Sequence, residues 1–124
     1  MKEEEMSNKK ILLIDDDPVL IKIVQPYLES HGFTVFVAND GEQGIAKLKA
    51  EKVDLIILDV QMPKMNGYTF IFEMKKNEHT QGVPIIVLTA KEGMAEIFKV
   101  EGVKDYINKP FQPEALLKCI QKYL

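Results

Sequence analysis

Apolar and polar positions are arranged along the chain in blocks. Ile11 to Ile14 is an unbroken aliphatic run, ended by Asp15, Asp16 and Asp17. Leu55 to Leu58 repeats the pattern and ends at Asp59, and the apolar run from Val83 to Leu88 repeats it before Thr89. Runs this dense predict strands covered on both faces, as in parallel sheets. Phe33 to Ala38 is rich in β-branched and aromatic residues and predicts another strand, and Tyr106 to Asn108 predicts a brief last one.

Helical spacing fills the intervals. Leu20, Ile23, Val24, Tyr27 and Leu28 recur at i, i+3, i+4, i+7 and i+8, which is one helical face. Asp17 is placed as the N-cap of this helix and Pro18 at its first position. Pro26 interrupts the pattern and predicts a kink or an early end, with Gly32 as the stop. Asn39, Asp40 and Gly41 predict a turn and helix start, followed by the weaker apolar positions Ile45 and Leu48. Pro63 and Gly67 enforce a loop before a third helix striped by Phe70, Ile71 and Met74. Met94, Ile97 and Phe98 predict a short fourth helix stopped by Gly102, and Leu116, Leu117, Ile120 and Leu124 lie on one side of a final helix.

Strand and helix thus alternate five times, which argues for an α/β fold: a five-stranded parallel sheet between two layers of helices. The strands around Phe33 and Tyr106 are the weakest and suit sheet edges. In such folds ligands sit beyond the carboxyl ends of the strands. Those ends carry Asp15 and Asp16, Asp59, Thr89, and Lys109. Singly, each has a structural explanation: a helix cap, a turn former, a solvated lysine. Their coincidence at successive strand ends is harder to explain that way.

Composition narrows the chemistry. A chain of 124 residues with 46% hydrophobic and 28% charged positions is one globular domain with room for a core. A net charge of -3 gives no strong attraction to nucleic acid or membrane, and all 16 strong bases are Lys, which weakens any bidentate reading of phosphates or bases. The single Cys119 forms no internal disulfide and suits a reducing, cytoplasmic setting. Residues 1–9 are a charged tail without the apolar core of a signal peptide, leaving 10–124 as the domain. No apolar run is long enough to span a membrane, and there is no internal repeat or low-complexity segment.

Three carboxylates in one crevice repel one another. Each pair at ~4 Å costs about 4 kcal/mol at an effective dielectric near 20. Lys109 supplies one compensating charge, and a divalent cation supplies two. Hard oxygen ligands without His or Cys point to Mg²⁺. Mg²⁺ beside a carboxylate nucleophile suits formation of an acyl phosphate, with Thr89 able to donate a hydrogen bond to a phosphoryl oxygen.

These motifs carry a family resemblance. Ile11-Leu-Leu-Ile-Asp-Asp-Asp-Pro18, Asp59-Val-Gln-Met-Pro63 with Asn66-Gly67, Leu88-Thr-Ala90 and Tyr106-Ile-Asn-Lys-Pro110-Phe111 resemble the response-regulator receiver family of two-component signalling, over about Lys10 to Leu124. The resemblance implies a doubly wound, flavodoxin-like (CheY-like) sheet of order 2-1-3-4-5 flanked by five helices. It implies that Asp59 is the phosphoacceptor and that Thr89 and Lys109 contact the phosphoryl group. Mg²⁺ would be held by Asp16, Asp59 and the main-chain carbonyl of Gln61, with Asp15 acting chiefly through a metal-bound water. Tyr106 would be an aromatic switch that turns inward as Thr89 moves toward the phosphate. Lys109-Pro110 would be cis, where sequence alone favours trans. Gln61 and Lys91 occupy the family's positions for tuning phosphoryl lifetime. Met62, Met65 and Met74 are core or loop fillers.

The implied function is a phosphorylation-activated signalling switch, not a general enzyme: it catalyses only its own phosphorylation and dephosphorylation. The donor would be a sensor histidine kinase or a phosphotransfer protein, docking near the first helix. The output surface would be the fourth helix, fifth strand and fifth helix, with Phe98, Lys104, Tyr106 and Lys118 facing a protein partner. Neither nucleic acid nor membrane is expected as a direct partner, and the chain would be a monomer or a weak phosphorylation-dependent dimer. The sequence closes on its last helix, which fits a stand-alone protein or a domain of a longer chain. Two other readings stay open. Asp15-x-Asp17-x-Val19 also fits the start of a haloacid-dehalogenase-like phosphatase, though that family needs a later acidic motif and only Glu114 follows Lys109. The third is a receiver-like binding module that takes no phosphate.

Overall fold

In the computed structural model, residues 8–59, 67–76, 82–89 and 103–124 are described. The strands are β1 (Lys10–Ile14), β2 (Thr34–Ala38), β3 (Leu55–Asp59), β4 (Ile85–Thr89) and β5 (Val103–Asn108). The described helices are α1 (Pro18–Glu29), α2 (Gly41–Ala50), α3 (Gly67–Lys75) and the last helix, α4 (Pro113–Tyr123). All strand pairs are parallel, in the order β2-β1-β3-β4-β5. The fourth helix expected around Met94 lies outside the described residues.

Side chains of a strand alternate between faces, so each aliphatic run feeds two cores. Leu12, Ile14, Ile56, Leu58, Ile85 and Val87 pack with Phe70, Ile71 and Met74 of α3 on one face. Ile11, Leu13, Leu55, Ile57, Ile86 and Leu88 pack with residues of α1 and α4 on the other. Every residue of β3 and β4 is buried, whereas the edge strands β2 and β5 are only partly covered. Burying each such aliphatic side chain is worth about 1.5–3 kcal/mol, and that holds the strand ends rigid beneath the site. On α2 the close approach is set by Gly44. A Cβ there would lie 2.7 Å from Ile14 Cδ1 and 2.9 Å from Phe70 Cε1.

Several local expectations shift. The helix α1 does not stop at Pro26 but continues to Glu29, capped by Ser30. Pro26 and Lys22 are both exposed, so water can reach the carbonyl that loses its partner. Gly32 is not the cap. It takes φ +94° in the turn that follows. Ile23, grouped by spacing with the buried stripe, is 53% exposed, while Val24 and Leu28 carry the packing. Phe33 precedes β2 and is buried, β4 starts at Ile85 after Pro84, and β5 begins three residues before Tyr106. Polar Lys104 and Asp105 hide that start in the sequence, because an edge strand need not be apolar on both faces.

Candidate functional site

Three strand ends deliver the carboxylates and the hydroxyl to one end of the sheet. Asp15 follows β1, its N–H donating to the Ala38 carbonyl at 3.1 Å. Asp59 is the last residue of β3, and Thr89 the last of β4. Asp15, Asp59 and Thr89 are buried, and Asp16 is exposed. Asp17 turns away to cap α1, accepting the Val19 N–H at 2.9 Å. Oxygen atoms of Asp15, Asp16 and Asp59, one from each, all lie within 4.8 Å of one another.

Lys109 reaches this cluster from the end of β5. Its backbone N–H donates to the Thr89 carbonyl at 2.7 Å, fixing the start of the loop. Its ammonium nitrogen then lies 2.8 Å from Asp15 Oδ2 and 3.4 Å from Asp59 Oδ2. Burial by itself lowers the Lys109 pKa. Contact with Asp15 and the charges of Asp15 and Asp59 outweigh that and hold it above the ordinary lysine value. The peptide bond after it, Lys109–Pro110, is cis.

The two oxygens of Asp15 are treated differently. Oδ1 accepts the Asp17 N–H at 2.9 Å. Oδ2 is buried and accepts no well-directed hydrogen bond, its close neighbour being the Lys109 charge. Among the described residues, the Lys109 ammonium is thus set against two buried carboxylates, with a third acid at the rim. Such a group is expensive to keep unless further positive charge is drawn in. The donors around it are oxygens, with no His or Cys in the cluster, and this set fits a hard dication such as Mg²⁺.

Of the remaining candidates, Tyr106 stands on β5 with 42% of its surface exposed. Gln61, Lys91 and Phe98 lie outside the described residues, as do Met62 and Met65. Met74 is a core residue.

Two features escape the sequence reading. Beside Lys109 a groove of about 440 Å³ runs between α1 and the loop before α4, lined among others by Val19, Leu20, Ile23, Phe111 and Pro113. Val19 and Ile23 are i, i+4 neighbours and both exposed, a pairing hidden because spacing groups Ile23 with the buried stripe. The second is a polar cluster on Asp105, for which no motif exists.

The doubly wound sheet with an acidic pocket at its carboxyl end defines a class, and comparison gives the family. The model of the response regulator receiver domain matches residues 11–121. The chain belongs to that family, the receiver domains of two-component signalling. The chain is 34% identical to PilH of Pseudomonas aeruginosa over 93% of its own length and 97% of PilH. It is 38% identical to the probable transcriptional regulator ycf29 of Pyropia yezoensis, but spans only 53% of that protein. The chemotaxis protein CheY4 of Vibrio cholerae superposes with a TM-score of 0.89 at 32% identity, over 95% of this chain and 100% of that one. The receiver domain of sensor histidine kinase PA1611 from Pseudomonas aeruginosa, with a magnesium ion coordinated in its active site cleft, gives a TM-score of 0.85 at 32% identity over 94% and 98%. Among the described residues no helix is long and apolar enough to cross a membrane.

Proposed function

We propose that this chain is a phosphorylation-activated switch that takes a phosphoryl group onto Asp59 from a phosphohistidine on a sensor kinase or phosphotransfer protein in the cytoplasm. The observation that carries this is the Lys109 ammonium set against both Asp15 and Asp59 at the base of the carboxylate cluster. An Asp59 oxygen forms a bond to phosphorus as the donor's phosphorus–nitrogen bond breaks, and that electron pair stays on the donor imidazole. The product is an aspartyl phosphate. Lys109 and the Thr89 hydroxyl bind the phosphoryl oxygens, and the buried strand fixes Asp59 for in-line attack. Asp16, Asp59 and the Gln61 carbonyl would hold Mg²⁺, with Asp15 acting through water. When bound, the ion neutralises phosphoryl charge.

Exposure at the groove and at Tyr106, together with the family resemblance, supports the partner surfaces. The groove beside Lys109, with Val19 and Ile23 at its rim, suits the docking of the phosphodonor, since it borders the acceptor site. Thr89 and exposed Tyr106 form the switch, which re-sets the surface made by the helix expected at Met94–Phe98, β5 and α4. A downstream protein reads that surface, and the chain is a monomer or weak phosphorylation-dependent dimer. Residues 10–124 form the receiver, preceded by the charged tail.

Incubation with a small-molecule phosphodonor and Mg²⁺ tests the proposal. The intact mass should rise by one phosphoryl group, and Asp59→Asn should abolish the gain. A gain that depends on Asp15 instead would indicate the phosphatase chemistry, and no gain an inert binding module. Gln61 and Lys91, as bulky residues, hinder the hydrolytic water. Replacing either with a small residue should therefore speed loss of the phosphoryl group, and unchanged decay would refute that role.

A further inference from the structure

The strand β5 is a sheet edge, and the outer side of an edge strand presents unpaired N–H and C=O groups to any strand that approaches. Here that side is occupied from within the chain. The Tyr106 N–H donates to Asp105 Oδ1 at 2.9 Å. The Tyr123 hydroxyl, at the end of α4, lies 3.1 Å from the Lys104 carbonyl oxygen and 3.0 Å from Asp105 Oδ2, one proton shared between two acceptors. Lys122 Nζ adds its charge 3.7 Å from the same Oδ2. The register also slips at this point. Ile85 pairs with Val103 but Ile86 pairs with Asp105, so Lys104 is an extra residue that bends the edge.

We propose that Asp105 and Tyr123 form a lock on the outer edge of β5 that prevents strand pairing with a second copy of this chain. A second copy is the partner to exclude because identical edges meet on a two-fold axis, where one patch serves both sides. The lock works in two ways. It fills the Tyr106 N–H and Lys104 C=O that a new strand needs, and it sets Asp105 near its own copy, where like charges across a strand pair repel. Burial by itself would raise the Asp105 pKa. The Tyr106 amide, the Tyr123 hydroxyl, the Cys119 thiol and Lys122 together hold it below the ordinary carboxylate range, so the charge persists at neutral pH. None of this depends on phosphoryl transfer, and the test uses the unphosphorylated chain.

Sedimentation velocity over a concentration series compares the native chain with Asp105→Ala/Tyr123→Phe. Self-association of the double variant should be at least about tenfold tighter than that of the native chain, and equal association overturns the lock. Asp105→Cys/Tyr123→Phe with Cys119→Ser, which removes the lock and places a thiol at the self-paired position, should form an intermolecular disulfide under mild oxidation. Association without that cross-link also overturns the proposal, because the contact is then elsewhere. Should the double variant fail to fold, amide exchange in the native chain decides. The Tyr106 N–H should exchange at least about tenfold more slowly than an exposed amide, and exchange at the free rate overturns the lock.

Discussion

Cys119 illustrates how one residue's chemistry is set by its neighbours. It sits on α4 among aliphatic side chains, and burial is the main reason its thiol is pushed up to about 12. The nearby Asp105 charge and a hydrogen bond to that carboxylate act in the same direction. A folded-state value above the unfolded one near 8.5 means the folded chain holds the proton more tightly. The resulting stabilisation is fully present below about pH 8.5 and is lost as pH rises from there through about 12. Reactivity follows the thiolate, so alkylation at pH 8 should be about a thousandfold slower in the folded chain than in urea. Equal rates in the two states would show that the thiol is neither buried nor paired as described.

At the scale of elements, α1 shows where pattern and packing part company. Its apolar spacing, its Asp17 cap and Pro18 are legible in the sequence, and of the kink or early end that Pro26 predicts, the early end does not occur. Proline costs about 3 kcal/mol in a helix interior. Packing of Val24 and Leu28 into the core carries the helix through, since both are buried. Because Pro26 is exposed, replacing it removes no core contact. Pro26→Ala restores a backbone donor, while the looser unfolded chain offsets about 0.4–1 kcal/mol of the gain. The expected net effect is about 2 kcal/mol of added stability, read as a higher urea midpoint with an unchanged slope. A lower midpoint would mean that the proline fits its site better than the helix needs. The central strands were legible for a simpler reason: a run buried on both faces leaves no polar position to confuse the period. The edge strand β5 was half hidden because Lys104 and Asp105 serve its rim. The groove beside Lys109 was hidden because periodicity assigns a residue to a helix face without saying where the covering layer stops.

For the whole molecule, what matters is that the fold concentrates negative charge where its strands end. Net charge is only -3, yet Asp15, Asp16 and Asp59 approach within 4.8 Å, with Lys109 against two of them. The sheet order makes this unavoidable, since β1 and β3 are neighbours and both run to the same end. The sequence made the strand-end acids visible. It did not reveal that Oδ2 of Asp15 would be buried without a directed hydrogen bond, because that depends on the Lys109 side chain folding back across the crevice. Such a site stores repulsion that a dication relieves in the folded state only, since the unfolded chain does not hold the three acids together. Binding at ten times the dissociation constant adds about 1.4 kcal/mol, and at a hundred times about 2.7 kcal/mol. For a domain of this size each kcal/mol raises the melting temperature by roughly 2–8 °C. Millimolar Mg²⁺ should therefore raise the melting temperature by several degrees beyond a NaCl control of equal ionic strength. Asp16→Asn should remove most of that rise while leaving the metal-free protein as stable or slightly more so, because one repelling charge is gone from an exposed position. A melting temperature indifferent to Mg²⁺ in the native chain would mean that the protein's own groups balance the cluster, and the phosphoryl-transfer reading would lose its metal.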